Sequence, residues 1–110
     1  MNEDLKKYSC VERCPVRQVI SRFSSKWAML VLMILGEKEC VRFNEFTHIL
    51  PDISAKVLSS TLKTLESDGL VARKVYACVP PKVEYSITNK GKTLVPLICQ
   101  LVEWAREEMV

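Results

Sequence analysis

The side chains that could bind an anion are concentrated in one stretch of the sequence, from Ser54 to Lys92. This stretch contains seven basic and three acidic residues, a net charge of +4, whereas the whole 110-residue chain carries only +3. Lysine and arginine gathered on one surface attract phosphate groups. The charge distribution therefore predicts a phosphate-binding surface in this part of the chain.

Cys14 has the surroundings of a reactive thiol. It lies between Arg13 and Arg17, immediately before a predicted helix N-terminus. Positive charge and free backbone N–H groups favour the thiolate, which is the nucleophilic form. Two interpretations stay open: a sensor of oxidants or electrophiles, and a partly buried structural thiol.

The other cysteines and the histidine do not complete a metal site. Cys10 and Cys14 form a C-x₃-C pair, but the chain has one histidine, His48, and no second close cysteine pair. We therefore expect no bound metal, and His48 on the surface. Cys40, Cys78 and Cys99 are predicted to be small core residues. For Cys78, which lies near the wing, an exposed position stays open as an alternative.

The composition excludes several classes of protein. The three glycines are isolated, and no G-x-S-x-G or C-x-x-C motif is present, so we expect neither an enzyme nor a cofactor. Five cysteines behind a polar N-terminus argue against a secreted disulfide scaffold. The most apolar run, Trp27 to Leu35, is shorter than the roughly 20 residues of a membrane span. These features predict a cytoplasmic protein that does not enter a membrane.

Helices are predicted at the N-terminal side of the chain. Pro15 begins one that reaches about Phe23, since proline fits the first helical turn. Ser24 or Ser25 then caps a nearly all-apolar helix that is closed by Gly36 and forms the buried centre of the core.

Two more helices follow a brief strand at Val41–Arg42. The first contains Phe43 and Phe46, both predicted in the core, and ends at Pro51. The second is capped by Ser54, runs to Asp68 and stops at Gly69 as a left-handed cap. Its leucines form one stripe, and its opposite face is short, polar and positive: Lys56, Ser60, Lys63 and Ser67.

From Leu70 the apolar residues alternate, which predicts a β-hairpin. Val83, Tyr85 and Ile87 share one face of its second strand, and the adjacent prolines Pro80 and Pro81 belong at the turn. Thr88 or Asn89 then caps a long last helix with Pro96 inside it.

This order of elements predicts an α+β, mainly α, winged helix-turn-helix fold. One domain spans residues 1–110, with the helix-turn-helix at about 43–68 and the wing hairpin at about 70–87. The first and last helices, at about 15–23 and 89–107, carry apolar faces suited to dimerisation.

A set of ordered motifs resembles the HxlR-type winged-helix transcriptional regulators. The match covers roughly residues 10 to 105. Its motifs are C-P-V at 14–16, S-K-W at 25–27, R-F-N-E-F at 42–46, I-S-A-K-V-L at 53–58, L-E-S-D-G-L-V at 65–71, V-P-P-K-V-E-Y-S-I-T at 79–88, and Trp104.

The resemblance implies a homodimer that binds double-stranded DNA. It implies that the second helix of the helix-turn-helix enters the major groove, and that some members sense oxidants through a cysteine at the place of Cys14. Ser60 and Thr61 stand where family members often have Gln and Arg, the residues that commonly read bases. Readout is therefore expected to depend more on Lys56, Ser59, Lys63 and DNA shape.

Candidate site residues follow from these interpretations. The predicted DNA contacts are Arg42, Asn44, Ser54, Lys56, Ser59, Ser60, Lys63, Arg73, Lys74 and Lys82. The predicted dimer interface consists of Val16, Ile20, Leu94, Leu97, Ile98, Leu101, Trp104 and Ala105.

The leading hypothesis is a sequence-specific repressor that occupies a pseudo-palindromic operator as a homodimer and is gated by Cys14 oxidation. An alternative is a winged helix that docks an acidic protein partner through its basic hairpin. Charge on the hairpin also protects exposed strand edges, and this role is compatible with either hypothesis.

Overall fold

A computed structural model describes residues 3–9, 14–23 and 25–109, so Cys10, Arg13 and Ser24 of the sequence analysis lie outside the described residues. It contains five α-helices, one antiparallel strand pair and a 3₁₀ helix, Glu3–Tyr8, that the sequence analysis did not predict. The helices are α1 (Pro15–Phe23), α2 (Lys26–Glu37), α3 (Phe43–Ile49), α4 (Ala55–Ser67) and α5 (Asn89–Glu108). The strands are β1 (Val71–Tyr76) and β2 (Lys82–Ile87).

Helix α2 forms the centre of the core, as predicted. Ser25 caps it, with the Ser25 side-chain oxygen accepting a hydrogen bond from the Trp27 N–H. Gly36 does not close the helix: the helix continues through it to Glu37, and the Lys38 N–H donates to the Ile34 carbonyl. A Cβ on Gly36 would lie only 3.2 Å from a Val95 methyl group. This glycine therefore allows α2 and α5 to approach closely.

Helices α3 and α4 form the helix-turn-helix. The Arg42 N–H donates to the Glu45 carboxylate at 3.1 Å, which fixes the start of α3. The Ser54 hydroxyl accepts from the Val57 N–H at 3.1 Å and caps α4. Gly69 ends α4 with φ of 78°, the left-handed conformation that glycine adopts most readily. Both predicted caps of α4 are confirmed.

The wing is the β1–β2 hairpin. Its register pairs Arg73 with Tyr85 and Lys74 with Glu84, so adjacent residues alternate between two faces. Val41 pairs with Tyr85 through two backbone hydrogen bonds of 2.8 Å. This isolated bridge confirms β pairing at Val41, whereas Arg42 caps α3 and does not extend the predicted strand. Pro80 lies between the two strands, as predicted.

The wing is joined to α5 by a compact junction. The Thr88 hydroxyl accepts from the Gly91 N–H at 3.0 Å and donates to the Gly69 carbonyl at 2.7 Å. One side chain therefore caps α5 and ties it to the end of α4. Pro96 lies inside α5, as predicted.

The core lies where α2, α4, the wing and α5 meet. It consists mainly of aliphatic side chains with Phe46, which is fully buried and contacts Tyr85 edge to face. Phe43 packs against this core from a half-buried position, and His48 is exposed. These three placements agree with the sequence analysis. The fold class, a mainly α winged helix-turn-helix, is confirmed.

Cysteine burial corrects the sequence analysis. Cys40 and Cys99 were predicted in the core, and Cys78 was predicted either in the core or exposed near the wing; all three are exposed. A free cysteine is small and apolar, so type alone favours burial, but these three occupy a loop, the wing turn and an outward position of α5.

In the described ranges, no single helix has the length and apolar character needed to cross a bilayer. Residues Pro15–Ser21 of α1 and all of α2 reach that length and apolar character only when taken together, and the two helices are bent by 76° relative to each other. Four side chains of α2 are buried in the core.

Candidate nucleic-acid interface

Three surface grooves contain all of the predicted DNA-contacting residues except Ser54 and Lys74. The wing groove, of about 430 Å³, lies between α4 and the hairpin and is lined by Phe43, Ser59, Lys63, Glu66, Arg73 and Tyr85. The tip groove, of about 510 Å³, lies between the start of α3 and the wing turn and includes Arg42, Asn44 and Lys82. The α2–α4 groove, of about 560 Å³, is lined by Ser25, Ala28, Lys56, Ser60, Thr61 and Leu65 among others.

The outer face of α4 is shared between two of these grooves. Ser59 and Lys63 line the wing groove, whereas Lys56 and Ser60 line the α2–α4 groove. The division follows from helical geometry, because residues four apart lie one above the other on a helix. Ser54 lies at the start of α4, where its hydroxyl is already engaged as the cap.

The wing directs its basic residues to different faces. Arg73 shares a face with Tyr85 and lines the wing groove. Lys74 lies on the opposite face, so the structure does not bring it to Lys63. The Lys74 and Lys82 ammonium groups lie 4.9 and 5.0 Å from the Tyr76 ring centroid, which is cation–π range.

The wing groove has unneutralised positive charge. In the part of the chain that the structure describes, neither Lys63 nor Arg73 has an ion pair within 4.0 Å. Both are exposed, so their charges remain open to a phosphate group. Glu66 also lines this groove and was not among the predicted site residues. Glu66 lies seven residues after Ser59, a spacing that puts the two side chains on the same face of a helix. This spacing is the sequence signal that could have identified Glu66.

Glu45 of α3 and Glu84 of β2 accept side-chain hydrogen bonds from Lys38 and Cys40, respectively. The Lys38 ammonium donates to the Glu45 carboxylate at 2.6 Å. This hydrogen bond lowers the pKa of Glu45, and the bond from the Arg42 N–H lowers it further by a smaller amount. On the outer face of the wing, the Cys40 thiol donates to the Glu84 carboxylate at 3.0 Å. That bond lowers the pKa of Glu84, and a hydrogen bond with Tyr76 lowers it further by a smaller amount. In turn, the Glu84 carboxylate raises the pKa of the Cys40 thiol.

Cys14 is part of the N-terminal turn of α1. Its sulfur accepts a hydrogen bond from the Arg17 N–H at 3.4 Å, and its carbonyl accepts from the Gln18 N–H. The side chain is only 2% exposed. The predicted position before a helix N-terminus is confirmed, and the thiol is enclosed within the protomer.

Apolar side chains are exposed along α1 and α5. On α1 these include Val16 and Ile20, and on α5 they include Leu97, Leu101 and Trp104. Leu94 and Ala105 are half-buried. Ile98 corrects the sequence analysis: it is 7% exposed and packs in the core, because its position on α5 faces α2 rather than solvent. Val19 and Val102 are exposed as well and were not selected.

These features define a winged helix-turn-helix protein with a basic groove between its second helix-turn-helix helix and its wing. Residues 22–110 match the model of the HxlR-like helix-turn-helix family. The chain belongs to this family of transcriptional regulators, which is not a family of enzymes and whose helix-turn-helix domains bind DNA.

Individual proteins support the same assignment. An HTH-type transcriptional regulator of Halalkalibacterium halodurans is 44% identical over 98 residues, which are 89% of this chain and 87% of the relative. The redox regulator HypR matches in its reduced form with a TM-score of 0.79 and 40% identity, over 86% of this chain and 93% of that one. The reduced form of YodB from Bacillus subtilis matches with a TM-score of 0.76 and 33% identity, over 86% and 93%.

Proposed function

We propose that this protein is a homodimeric transcriptional repressor that binds a pseudo-palindromic operator in the cytoplasm. The observation that carries the proposal is the wing groove, where Lys63 of α4 and Arg73 of β1 have no ion pair among the described residues. A helix and a hairpin that present cations together can bind adjacent phosphates of one duplex.

In this proposal α4 enters the major groove and the wing follows the DNA backbone. Lys63 and Arg73 bind phosphates beside the wing groove, and Ser59, which lines the same groove, contacts a base edge. Phosphates beside the tip groove are bound by Arg42, Asn44 and Lys82. Ser54, Lys56 and Ser60 complete the contacts from the first two turns of α4. Lys74 binds backbone from the outer face of the wing. Sequence readout then includes DNA shape as well as direct contacts.

Dimerisation in this proposal uses the apolar faces of α1 and α5. Val16 and Ile20 of one protomer pack against Leu97, Leu101 and Trp104 of its partner, together with Leu94 and Ala105. Exposed apolar side chains grouped on two helices favour such an interface. A two-fold axis would direct two α4 helices into major grooves about one or more helical turns apart.

Oxidation of Cys14 is proposed to gate DNA binding. Its sulfur accepts the Arg17 N–H at the first turn of α1, so conversion of the thiol to a sulfenic acid by peroxide would alter this turn. Burial of the thiol means that the turn must open before an oxidant reaches it. Since α1 belongs to the proposed interface, the change would be transmitted to the dimer. The fold similarity to HypR, whose structures are described as a redox regulator in oxidised and reduced forms, supports this mechanism.

The gating is tested with Cys14→Ser in a DNA-release assay. Peroxide should release DNA from the wild-type protein, and the variant should retain DNA under the same treatment. Equal release from both proteins would assign the response to another cysteine.

The DNA-binding surface is tested with Lys63→Ala in a gel-shift titration on an operator fragment selected from genomic DNA. Loss of one phosphate contact should weaken binding by about fivefold to tenfold and reduce the dependence on salt by about one ion. The control is Lys92→Ala, which removes the same charge from a different groove, lined by Gly36 and Pro96. Equal affinities of Lys63→Ala and wild type would contradict the proposed surface.

A further inference from the structure

The α2–α4 groove has the size and shape of a small-molecule site. It lies between the N-terminal end of α2 and the outer face of α4 and has a volume of about 560 Å³. Ligand sites commonly measure about 300–1,000 Å³. Its floor is apolar, because Ala28 and Leu65, which are 5% and 2% exposed, close it from below.

The polar groups of the groove are one cation and several hydroxyls. Among the described residues that line it, Lys56 is the only charged one, and none of them carries a carboxylate. In the described part of the chain Lys56 has no ion pair, so its ammonium can receive an anionic group. The hydroxyl groups of Ser60 and Thr61 lie on the same wall and can donate hydrogen bonds to that group.

We propose that the α2–α4 groove binds a small amphipathic carboxylate, such as an aryl carboxylic acid. The carboxylate pairs with the Lys56 ammonium, and the hydrocarbon part lies over Ala28 and Leu65. The described lining combines an apolar floor with one cation and no acidic residue, which matches a ligand with one negative charge and an apolar body. Neutral ligands of the same shape lose the ion pair.

Occupation of this groove would oppose DNA binding. Lys56 and Ser60 are also proposed to contact DNA, and one ammonium group cannot pair fully with a ligand carboxylate and a phosphate at once. This antagonism rests on the proposed function, whereas binding of the carboxylate to the free protein does not. The two claims are therefore tested separately.

The site is tested by ligand-observed saturation-transfer NMR on the full chain without DNA, with benzoate as the probe and benzamide as its uncharged analogue. Wild type should bind benzoate at least about fivefold more tightly than benzamide. Lys56→Ala should remove this preference, and Lys56→Arg should retain it. The control Lys92→Ala, at a residue that lines a different groove, should match wild type. Because Lys56 is exposed, circular dichroism should show that each variant is folded.

The site is overturned if wild type gives no saturation transfer, if benzoate and benzamide bind equally, or if Lys56→Ala binds benzoate as wild type does. The antagonism is measured next, as the Kd of duplex DNA with and without benzoate. An increase for wild type and none for Lys56→Ala supports it. No increase for wild type overturns the antagonism alone.

Discussion

Glu84 forms two side-chain hydrogen bonds on the outer face of the wing, and its effect on Cys40 can be measured directly. The Cys40 thiol donates to its carboxylate at 3.0 Å, Tyr76 forms a second hydrogen bond, and the Lys82 ammonium lies 3.8 Å away. The carboxylate stabilises the protonated thiol, so the pKa of Cys40 is raised. Cys40 is exposed but should be a poor nucleophile near neutral pH, because the thiolate is the reactive form.

The prediction concerns the rate of alkylation of Cys40. Glu84→Gln removes the negative charge and should lower the pKa of the thiol, so that Cys40 reacts severalfold faster with iodoacetamide at mildly alkaline pH. Peptide mass spectrometry gives the rate at each cysteine. Cys99, which is exposed on α5, provides the internal reference and should not change. An unchanged Cys40 rate in Glu84→Gln would mean that the carboxylate does not control this thiol.

At the scale of elements, the junction of α5 with the wing depends on Gly91. A Cβ at this position would lie 2.4 Å from the Leu70 carbonyl oxygen and 2.7 Å from an Ile87 side-chain carbon. The carbonyl belongs to the backbone and accepts the Thr88 N–H, so it cannot move without disturbing the cap of α5. The close approach of α5 to the hairpin therefore requires glycine.

Gly91→Ala should reduce the free energy of unfolding by about 1–3 kcal/mol, the usual cost of forcing extra atoms into a packed site. Urea denaturation followed by circular dichroism measures this change. The matched control is Gly36→Ala, since both glycines lie in helices but the nearest atoms to a Cβ on Gly36 are side-chain methyl groups of Val95 at 3.2 and 3.3 Å. We expect this control to remain within about 1 kcal/mol of wild type, since alanine favours a helix. Equal effects of the two substitutions would contradict the special role of Gly91.

Secondary structure was accessible from the sequence because its signals are local. Ser54 marks the start of α4 as its cap, and Gly69 marks its end with a left-handed conformation. The alternation of Val83, Tyr85 and Ile87 identifies β2. Gly36 was misassigned because a glycine near the end of an apolar run resembles a helix stop. Its actual role, contact with Val95, depends on a residue 59 positions away and is not visible locally.

At the scale of the whole molecule, the exposed apolar faces of α1 and α5 should control assembly. Leu97 and Trp104 are 58% and 57% exposed in the protomer, so burial within the protomer does not account for their apolar character. Two such side chains in the centre of an interface would each contribute substantially to its stability.

Leu97→Glu should convert the dimer to a folded monomer, because a carboxylate at the interface cannot be buried without a partner. Size-exclusion chromatography with light scattering measures the mass, and circular dichroism checks the fold. Val79→Glu, at a fully exposed apolar residue of the wing turn, is the control and should leave the mass unchanged. A Leu97→Glu protein that remains dimeric would exclude α5 from the interface.

The candidate site was only partly accessible from the sequence. Charge and periodicity selected Lys63 and Arg73, which line one groove although they are ten positions apart in the sequence. The same reasoning grouped Lys74 with them, but strand alternation turns it to the other face. Ile98 was misassigned because a helical stripe shows which residues share a face and does not show which of them the protomer itself buries.

The central claim, that α4 and the wing bind the DNA backbone, is tested most directly by fluorescence anisotropy of the protein with random duplex DNA at increasing salt. The account predicts binding in dilute buffer that weakens linearly on a log–log plot, with a slope corresponding to several released ions. A protein that docks an acidic protein partner instead would not show this dependence. Absence of binding to duplex DNA even at the lowest salt concentration would contradict the account.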